Sequence, residues 1–301
     1  MRRDSVDGSI FCGQKNLGNP GVPGNMGVNF SHGEYLLVLD NDDAITPDAI
    51  EKLYSAAKKF DADVVACEKY YSIPNQDFYN AETLAKIQPY SYQRGGFVNE
   101  PTLITDNFAL RVQDCFQHRF MWNIWSKLIR RDFVIENELR FTDNFIQDMI
   151  FTCCLVFSAE RFVRVPYVVN RYRVLEDSLS HRSDSLEIQI DRYLRALKTG
   201  FEYVDKFLDD RPFFRQRPDI KYFALNFLLC GCFECFMRVY GKIPVPVLEN
   251  VLRQKLAHEN FSSALTAVIL NNANIFNLQL KIAKQRIAAL ENEIRRLKGQ
   301  A

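Results

Sequence analysis

Three of the four residues in Asp40-Asn41-Asp42-Asp43 are carboxylates, and they follow the apolar run Leu36-Leu37-Val38-Leu39 without a break. That run has the length and the bounding turn residues of a buried strand. Gathering like charges at its end costs electrostatic free energy unless a cation offsets them. Hard oxygen ligands favour Mg²⁺ or Mn²⁺, which commonly bridge protein carboxylates to the phosphates of a substrate. The carboxyl end of a parallel strand is also where open α/β sheets take ligands. The alternative is a solvated acidic turn that caps the following helix.

Residues 10–14 and 64–67 are further short apolar runs suited to buried strands. A helical pattern fills 47–60, with Thr46 placed as N-cap, Pro47 at the first helical position and Asp48 in the first turn. Strand, helix and strand at this spacing predict a parallel α/β sheet. Ahead of the acidic turn lie Asn16-Leu17-Gly18, Gly24-Asn25-Met26-Gly27 and Gly33-Glu34-Tyr35. Glycines there permit close backbone approach to a ligand, and a nearby helix start could offer amide donors to phosphate.

Together these segments resemble the family 2 glycosyltransferases. The usual run there is an N-x-G turn, an A-R-N-x-G helix and A-x-G-E-Y-I-x-F-L-D-x-D-D; here the last part stands as Ser31-His32-Gly33-Glu34-Tyr35-Leu36-Leu37-Val38-Leu39-Asp40-Asn41-Asp42-Asp43. The resemblance implies a GT-A (Rossmann-like), mostly parallel α/β fold and an inverting, Mn²⁺- or Mg²⁺-assisted transfer. The donor it implies is a nucleotide-sugar, a UDP-sugar first among them, and the acceptor a glycan or lipid-linked hydroxyl. It makes Asp42 the direct metal ligand, places Asp40 at the ribose or the metal, and leaves Asp43 as support. Asn16, Gly18 and Asn25 fall at donor-binding positions. One departure is Gly24, which stands where the family usually has Arg.

The resemblance continues in Trp125-Ser126-Lys127-Leu128-Ile129-Arg130-Arg131, which is similar to W-x-K-L-x-R-R. Phe141-Thr142-Asp143-Asn144-Phe145-Ile146-Gln147-Asp148-Met149-Ile150-Phe151 is similar to F-x-E-x-x-x-x-E-D-x-x-F. By it Asp148 inherits the role of the base that takes the acceptor's proton, while Gln147 replaces the adjacent acid. Read without the resemblance, Asp148 is a carboxylate favoured by a helix N-terminus. Trp122 and Trp125 could wall a sugar ring or sit in the core, and Trp125 is kept as a weak acceptor-site candidate. Tyr172-Arg173 followed by Ser178-Leu179-Ser180-His181-Arg182 resembles Y-R-x-x-x-x-S-x-S; His181 and Arg182 could close over the diphosphate or form a solvated basic turn.

In complete relatives two strands, ending in P-x-Y-N and V-D-D-G-S, precede the part where this chain starts. Only 39 residues stand before Asp40 here, so N-terminal strands are expected to be missing. That motivates a rival: a degenerate family member acting as a binding or assembly module. A nucleotidyltransferase with a similar acidic turn is a third reading, opposed by the Trp125 and Asp148 segments.

The formal net charge of +1 supplies no field for nucleic acid. Eight cysteines show no disulfide-framework spacing, which fits a reducing cytoplasm, and the first residues lack the apolar core of a signal peptide. Cys230-x-Cys232-x-x-Cys235 spreads around a helix rather than converging on zinc, so buried thiols are expected. The apolar stretch 222–240 carries Glu234 and Arg238 and is short for a spanning helix. The location expected is cytoplasmic, with peripheral attachment at the inner membrane face left open.

Residues 143–157 read as a helix, 163–173 as a strand, and 186–208, 220–240 and 245–268 as helices. The division expected is a transferase domain over 1–182, a helical region over 183–270 and a coiled-coil-like helix over 275–299. In that tail Leu280, Ile287 and Ile294 take a positions, and Ala283, Leu290 and Leu297 take d. The helix could self-associate or pack back on its own domain.

Overall fold

The structure, a computed structural model, describes residues 21–93, 95–144, 146–175, 185–240 and 281–291. It divides into two compact units, Met1–His181 and Arg182–Ala301.

In the first unit the order is α1 (Gly21–Phe30), β1 (Tyr35–Leu37), β2 (Ala44–Ile45), α2 (Ala49–Phe60), β3 (Val64–Pro74), α3 (Ala81–Lys86), β4 (Thr102–Leu103), α4 (Phe108–Phe116), β5 (Lys127–Arg130), α5 (Arg131–Glu136), α6 (Gln147–Val156) and β6 (Phe162–Val174). The sheet runs β1-β5-β3-β6-β2, with β4 paired to β6. β1, β3 and β6 share one direction, and β3 lies parallel against β6 from Val64↔Phe162 to Pro74↔Val174. β5 opposes them and is inserted between β1 and β3, while the short β2 and β4 are antiparallel to β6. The α/β architecture is present, but a mostly parallel sheet is only a loose description of it. The strand–helix–strand unit exists, yet its two strands are separated by one that arrives some sixty residues later.

The α2 helix shows why this unit folds. Ala49, Leu53, Ala56 and Ala57 recur on one face and are buried against Val65, Cys67, Leu128, Val163, Val165 and Val169. Burying one such leucine contributes roughly 1.5–3 kcal/mol. The helix starts at Ala49, two residues after the expected position, because Thr46 Oγ1 donates to Asp48 Oδ1 (2.7 Å) and keeps that turn outside the helix. It stops at Asp61, whose φ of 48° is left-handed.

The run 36–39 is less regular than expected. β1 ends at Leu37, and Leu39 is 42% exposed, so the residues leading into the acidic turn are only partly covered. Residues 70–120 hold further regular structure. β3 continues to Pro74, and α3 and α4 are each capped by an asparagine: Asn80 Oδ1 accepts from Glu82 and Thr83 amides, Asn107 Oδ1 from Ala109 and Leu110 amides.

Within α4, Arg111 is fully buried and caps the end of another helix. Its guanidinium donates to the carbonyls of Thr105 (2.6 Å), Val156 (3.0 Å), Ala159 and Glu160 (3.2 Å). It thereby satisfies the carboxyl end of α6, whose last carbonyls would otherwise be orphaned. Burial pushes its pKa down to about 10, which leaves it cationic at neutral pH. Arg111→Met is expected to cost about 2–3 kcal/mol of stability, read as a lower denaturant midpoint with an unchanged slope. An unchanged midpoint would show that solvent replaces the cap.

The second unit contains α7 (Leu186–Asp209), α8 (Pro212–Gln216), α9 (Pro218–Tyr240) and the helix α10 over residues 281–291. Tyr193, Ala196, Leu197, Val204, Phe207 and Leu208 form the buried stripe of α7, and Ala224, Phe227 and Leu228 that of α9. Lys221 bridges Asp205 (2.7 Å) and Asp209 (2.6 Å). Cys230 is exposed, contrary to the expectation of a buried thiol there; the side chains of Cys232 and Cys235 lie outside the described ones. Among the described residues no helix is long and apolar enough to cross a membrane. The strand expected at 10–14 and the helix expected at 245–268 lie outside the described residues.

Candidate active site

The acidic turn is tight and tied at both ends. The Asp43 amide donates to the Asp40 carbonyl (3.1 Å), and Asp43 Oδ1 accepts from the backbone amide of Arg173 at the end of β6 (2.8 Å). The following β2 pairs with β6 through Ala44↔Arg171 and Ile45↔Asn170. The turn therefore lies at the carboxyl end of β1 and is fixed to the far end of β6, so local pairing alone places its carboxylates.

Their charge is only partly offset, by the amide and guanidinium of Arg173 at Asp43. Asp40 is open to solvent yet surrounded by protein on most sides, and burial plus the charge of Asp42 raise its pKa. Burial is also the main cause for Asp43, pushed up to about 7, with Asp40 and Asp42 adding to the rise. Asp43 Oδ2 is buried and has no hydrogen-bond partner among the described residues. An orphaned carboxylate oxygen beside two further carboxylates is what a divalent cation would relieve, and the oxygen donor set fits Mn²⁺ or Mg²⁺. Among the described residues no group of three or more His, Cys, Asp or Glu side chains is placed to hold a metal ion. The protein would hold such an ion with one or two carboxylates and leave the remaining positions to substrate and water.

Asp148 lies in the first turn of α6. Its Oδ2 accepts from the Ile124 amide (3.2 Å). Burial raises its pKa to about 6; the Ile124 bond and the charge of Lys127 pull it down, while the charge of Asp40 pushes it up. The charge of Asp40 reaches Asp148, so two carboxylates 108 positions apart in the sequence lie within electrostatic range of each other.

The loop under Asp148 is held on two sides. Lys127 is 1% exposed, and its Nζ donates to the carbonyls of Met121 (2.8 Å) and Asn123 (2.7 Å) and contacts Ser126 Oγ (3.2 Å). Burial depresses its pKa to about 7. Tyr92 Oη accepts from the amides of Trp122 and Asn123 (3.3 Å for the latter) and donates to Asn123 Oδ1 (2.6 Å). Tyr92 is itself carried by a segment locked to β3, where Glu68 accepts from Gln93 (3.4 Å) and the Val98 amide (2.8 Å) and pairs with Arg164. Thr152 Oγ1 donates to the Trp122 carbonyl (2.9 Å), closing the loop onto α6.

Several sequence expectations change. Trp125 is 3% exposed, stacked on Tyr172 (6.0 Å, 15°) and edge-on to Tyr70 (4.9 Å), so it packs in the core, the second of the two readings open to it. Asn25 is engaged with Phe141: its Nδ2 donates to that carbonyl (2.8 Å) and its Oδ1 accepts from that amide (2.9 Å). It pins α1 to the segment before α6 rather than reaching for a ligand. Gly24 gains a structural reason, since a Cβ there would lie 2.9 Å from the Phe141 ring. Asn16, Gly18, His181 and Arg182 lie outside the described residues.

Tyr92 was not singled out from the sequence, and Lys127 stood there only as the lysine of the Trp125-to-Arg131 segment, with no role of its own. Arg173 gains a second role besides holding Asp43: its guanidinium lies over Phe78 (4.0 Å) and donates to Tyr79 Oη (2.7 Å), with Tyr79 81% exposed beside the turn.

Known proteins similar to this chain are glycosyltransferases. The family model described as Glycosyl transferase family 2 matches residues 14–117. The chain is 22% identical over 257 residues to a cholesterol galactosyltransferase of Borreliella burgdorferi, covering 85% of this chain and 65% of that protein. It is 37% identical to the glycosyltransferase GlyG of Streptococcus pneumoniae over 114 residues, 34% of this chain and 38% of that one. The poly(ribitol-phosphate) beta-N-acetylglucosaminyltransferase TarP of Staphylococcus aureus is 22% identical over 288 residues, covering 90% of this chain and 76% of TarP. The chain thus spans less than two thirds of the first two of these relatives. The structure of S. aureus TarS 1–349 in complex with UDP-GlcNAc superposes with a TM-score of 0.58 at 15% identity, covering 88% of this chain and 74% of that one. That likeness establishes a GT-A-like α/β fold.

Proposed function

We propose that the chain is a family 2 glycosyltransferase that transfers a sugar, with inversion, from a nucleotide-diphosphate donor to a hydroxyl of a glycan or lipid-linked acceptor. The observation that best supports this reading is that Asp148, whose pKa burial raises to about 6, lies within electrostatic range of Asp40 in the acidic turn. A base of that pKa is ionised at neutral pH and still basic enough to accept a proton in a transition state.

In this mechanism the acceptor oxygen forms a bond to the anomeric carbon as the bond from that carbon to the diphosphate breaks. The acceptor's proton passes to the Asp148 carboxylate. Asp42 and Asp40 would hold a divalent cation, which supplies charge neutralisation for the leaving diphosphate. Asp43 is the anchor, since its bond to the Arg173 amide fixes the turn. Asn16, Gly18, His181 and Arg182 are assigned to donor binding on the family pattern alone.

A UDP-sugar is the donor class we favour, because a TarS structure was determined with UDP-GlcNAc. The named relatives act on a sterol and on a ribitol-phosphate polymer, which supports a cell-envelope acceptor at the cytoplasmic face of the membrane. Attachment there would be peripheral.

Calorimetric titration tests the core of this reading. With Mn²⁺ present, UDP-GlcNAc or UDP-galactose is expected to bind, and Asp42→Ala to weaken that binding at least about tenfold, the loss of one charge-assisted interaction. Equal binding with and without metal, or no effect of Asp42→Ala, would remove the metal-bridged donor site.

A further inference from the structure

A row of tyrosine rings starts at the acidic turn and runs out to solvent. Tyr172 precedes Arg173, whose amide holds Asp43. Burial raises the pKa of the Tyr172 phenol, and the charges of Asp43, Asp42 and Asp40 raise it further, so it stands within electrostatic range of all three. Tyr70 on β3 meets Tyr172 edge-on with ring centroids 6.1 Å apart, and Tyr90 meets Tyr70 in the same way at 5.4 Å. Tyr70 and Tyr172 are half-buried, and Tyr90 is 50% exposed.

The row is fixed from behind. Trp125 stacks on Tyr172 and lies edge-on to Tyr70. Beside Trp125, the Ile124 amide holds Asp148. The amides of Tyr70 and Tyr90 donate to each other's carbonyls (2.9 and 2.7 Å), which keeps Tyr90 in place although its ring is open. The row therefore starts between the two carboxylate segments and leads away from them.

Aromatic rings held open to water forgo the burial that usually stabilises them, and a row of them marks a ligand face. The hydroxyls of Tyr70 and Tyr172 make no hydrogen bond among the described residues. Ring faces beside unpaired hydroxyls match a pyranose, which has an apolar C–H face and a rim of hydroxyls. A sterol or acyl chain would leave the tyrosine hydroxyls against hydrocarbon, and a ribitol chain has no ring face to lay down. The centroid spacings are also close to the repeat of linked pyranose rings. We propose that Tyr172, Tyr70 and Tyr90 line the acceptor subsite, and that the acceptor is a glycan of ring sugars with its terminal unit nearest Tyr172. This placement rests on the transfer reading, which puts the reacting hydroxyl between Asp148 and the acidic turn.

Saturation-transfer NMR on the full chain, with Mg²⁺ and UDP present, tests it with methyl β-cellobioside at about 1 mM, a range suited to a weak sugar subsite. The ring C–H protons of the disaccharide are expected to receive saturation. Tyr90→Ala, at an exposed ring, should weaken binding about fivefold, the loss of one aromatic contact. Tyr90→Phe keeps the ring and should stay within about twofold of wild type. No transfer to the disaccharide, or transfer that Tyr90→Ala leaves intact, would overturn the inference. Cholesterol hemisuccinate bound in place of the glycoside, and lost in Tyr90→Ala, would overturn the glycan class.

Calorimetry with UDP-GlcNAc and Mn²⁺ separates this inference from the reading it rests on. Tyr90→Ala should leave donor affinity unchanged, and a matching loss there would assign the row to the donor sugar instead. Donor binding without glycoside binding overturns the row alone. Glycoside binding that needs Tyr90, in a chain that binds no nucleotide, overturns the transfer reading and the acceptor role with it.

Discussion

Asp148→Asn is expected to lower the transfer rate by between about 10²- and 10⁴-fold, the usual contribution of a positioned general base. The amide keeps the shape and can still accept from the Ile124 amide, but it cannot take a proton. Donor affinity should stay within about threefold, because the lost interaction exists only as the acceptor attacks. The wild-type rate should fall about tenfold per pH unit below about 6, as the base becomes protonated, and the residual activity of the variant should lack that limb.

Stability should move the other way. Burial holds Asp148 at about 6, above the value of about 3.9 for a free aspartate, so ionising it in the folded chain is unfavourable. The sign follows from proton counts. Between about pH 4 and 6 the folded chain keeps a proton that the unfolded chain has lost, so stability contributed by this group falls as pH rises through that window. Asp148→Asn removes the penalty. In the metal-free protein it should be about 1–3 kcal/mol more stable than wild type at pH 7–8 and equal to it below about pH 4. Chemical denaturation at the two pH values measures this. A variant that is active within tenfold of wild type would end the base assignment, and one destabilised at pH 7 would end the burial argument.

The parts of this chain that were readable from its sequence are those where one short segment carries its own reason. The α2 helix is legible because Ala49, Leu53, Ala56 and Ala57 keep a helical period, and the acidic turn because three carboxylates after an apolar run demand an explanation. The β6 strand and the α6 and α7 helices were legible for the same reason. Strand order was not. Nothing near Lys127–Arg130 states that this strand will slip between β1 and β3, since the choice is made by pairing with residues more than sixty positions away. Burial of polar residues was equally hidden. Arg111, Lys127 and Glu68 are buried on partners, mostly backbone carbonyls and amides, that no local pattern announces. Trp125 failed in the opposite direction: an aromatic beside a catalytic motif invites a ligand, and only packing on Tyr172 and Tyr70 assigns it to the core.

Lys127 is the buried polar residue with the widest consequence. Its ammonium fixes the carbonyls of Met121 and Asn123, which shape the loop whose Ile124 amide holds Asp148, and its charge lowers the pKa of that same carboxylate. Lys127→Met fills the volume but strands two buried carbonyls, at an expected cost of about 2–4 kcal/mol. A purely architectural lysine would lower activity by one factor at every pH. A lysine that also tunes the base should move the acid limb of the rate profile upward, by as much as one unit or so, because Asp148 loses a favourable charge. The deficit of Lys127→Met should then be deepest near pH 6 and shrink toward pH 8.5, where Asp148 is ionised with or without its neighbour. Burial of the lysine, which holds its own pKa near 7, makes the wild-type advantage fade over the same range as the ammonium deprotonates. A rate profile displaced downward without a shift would leave Lys127 as scaffold only. A shifted limb, at a pH where the variant is demonstrably folded, ties the buried strand β5 directly to the proton that the reaction must move.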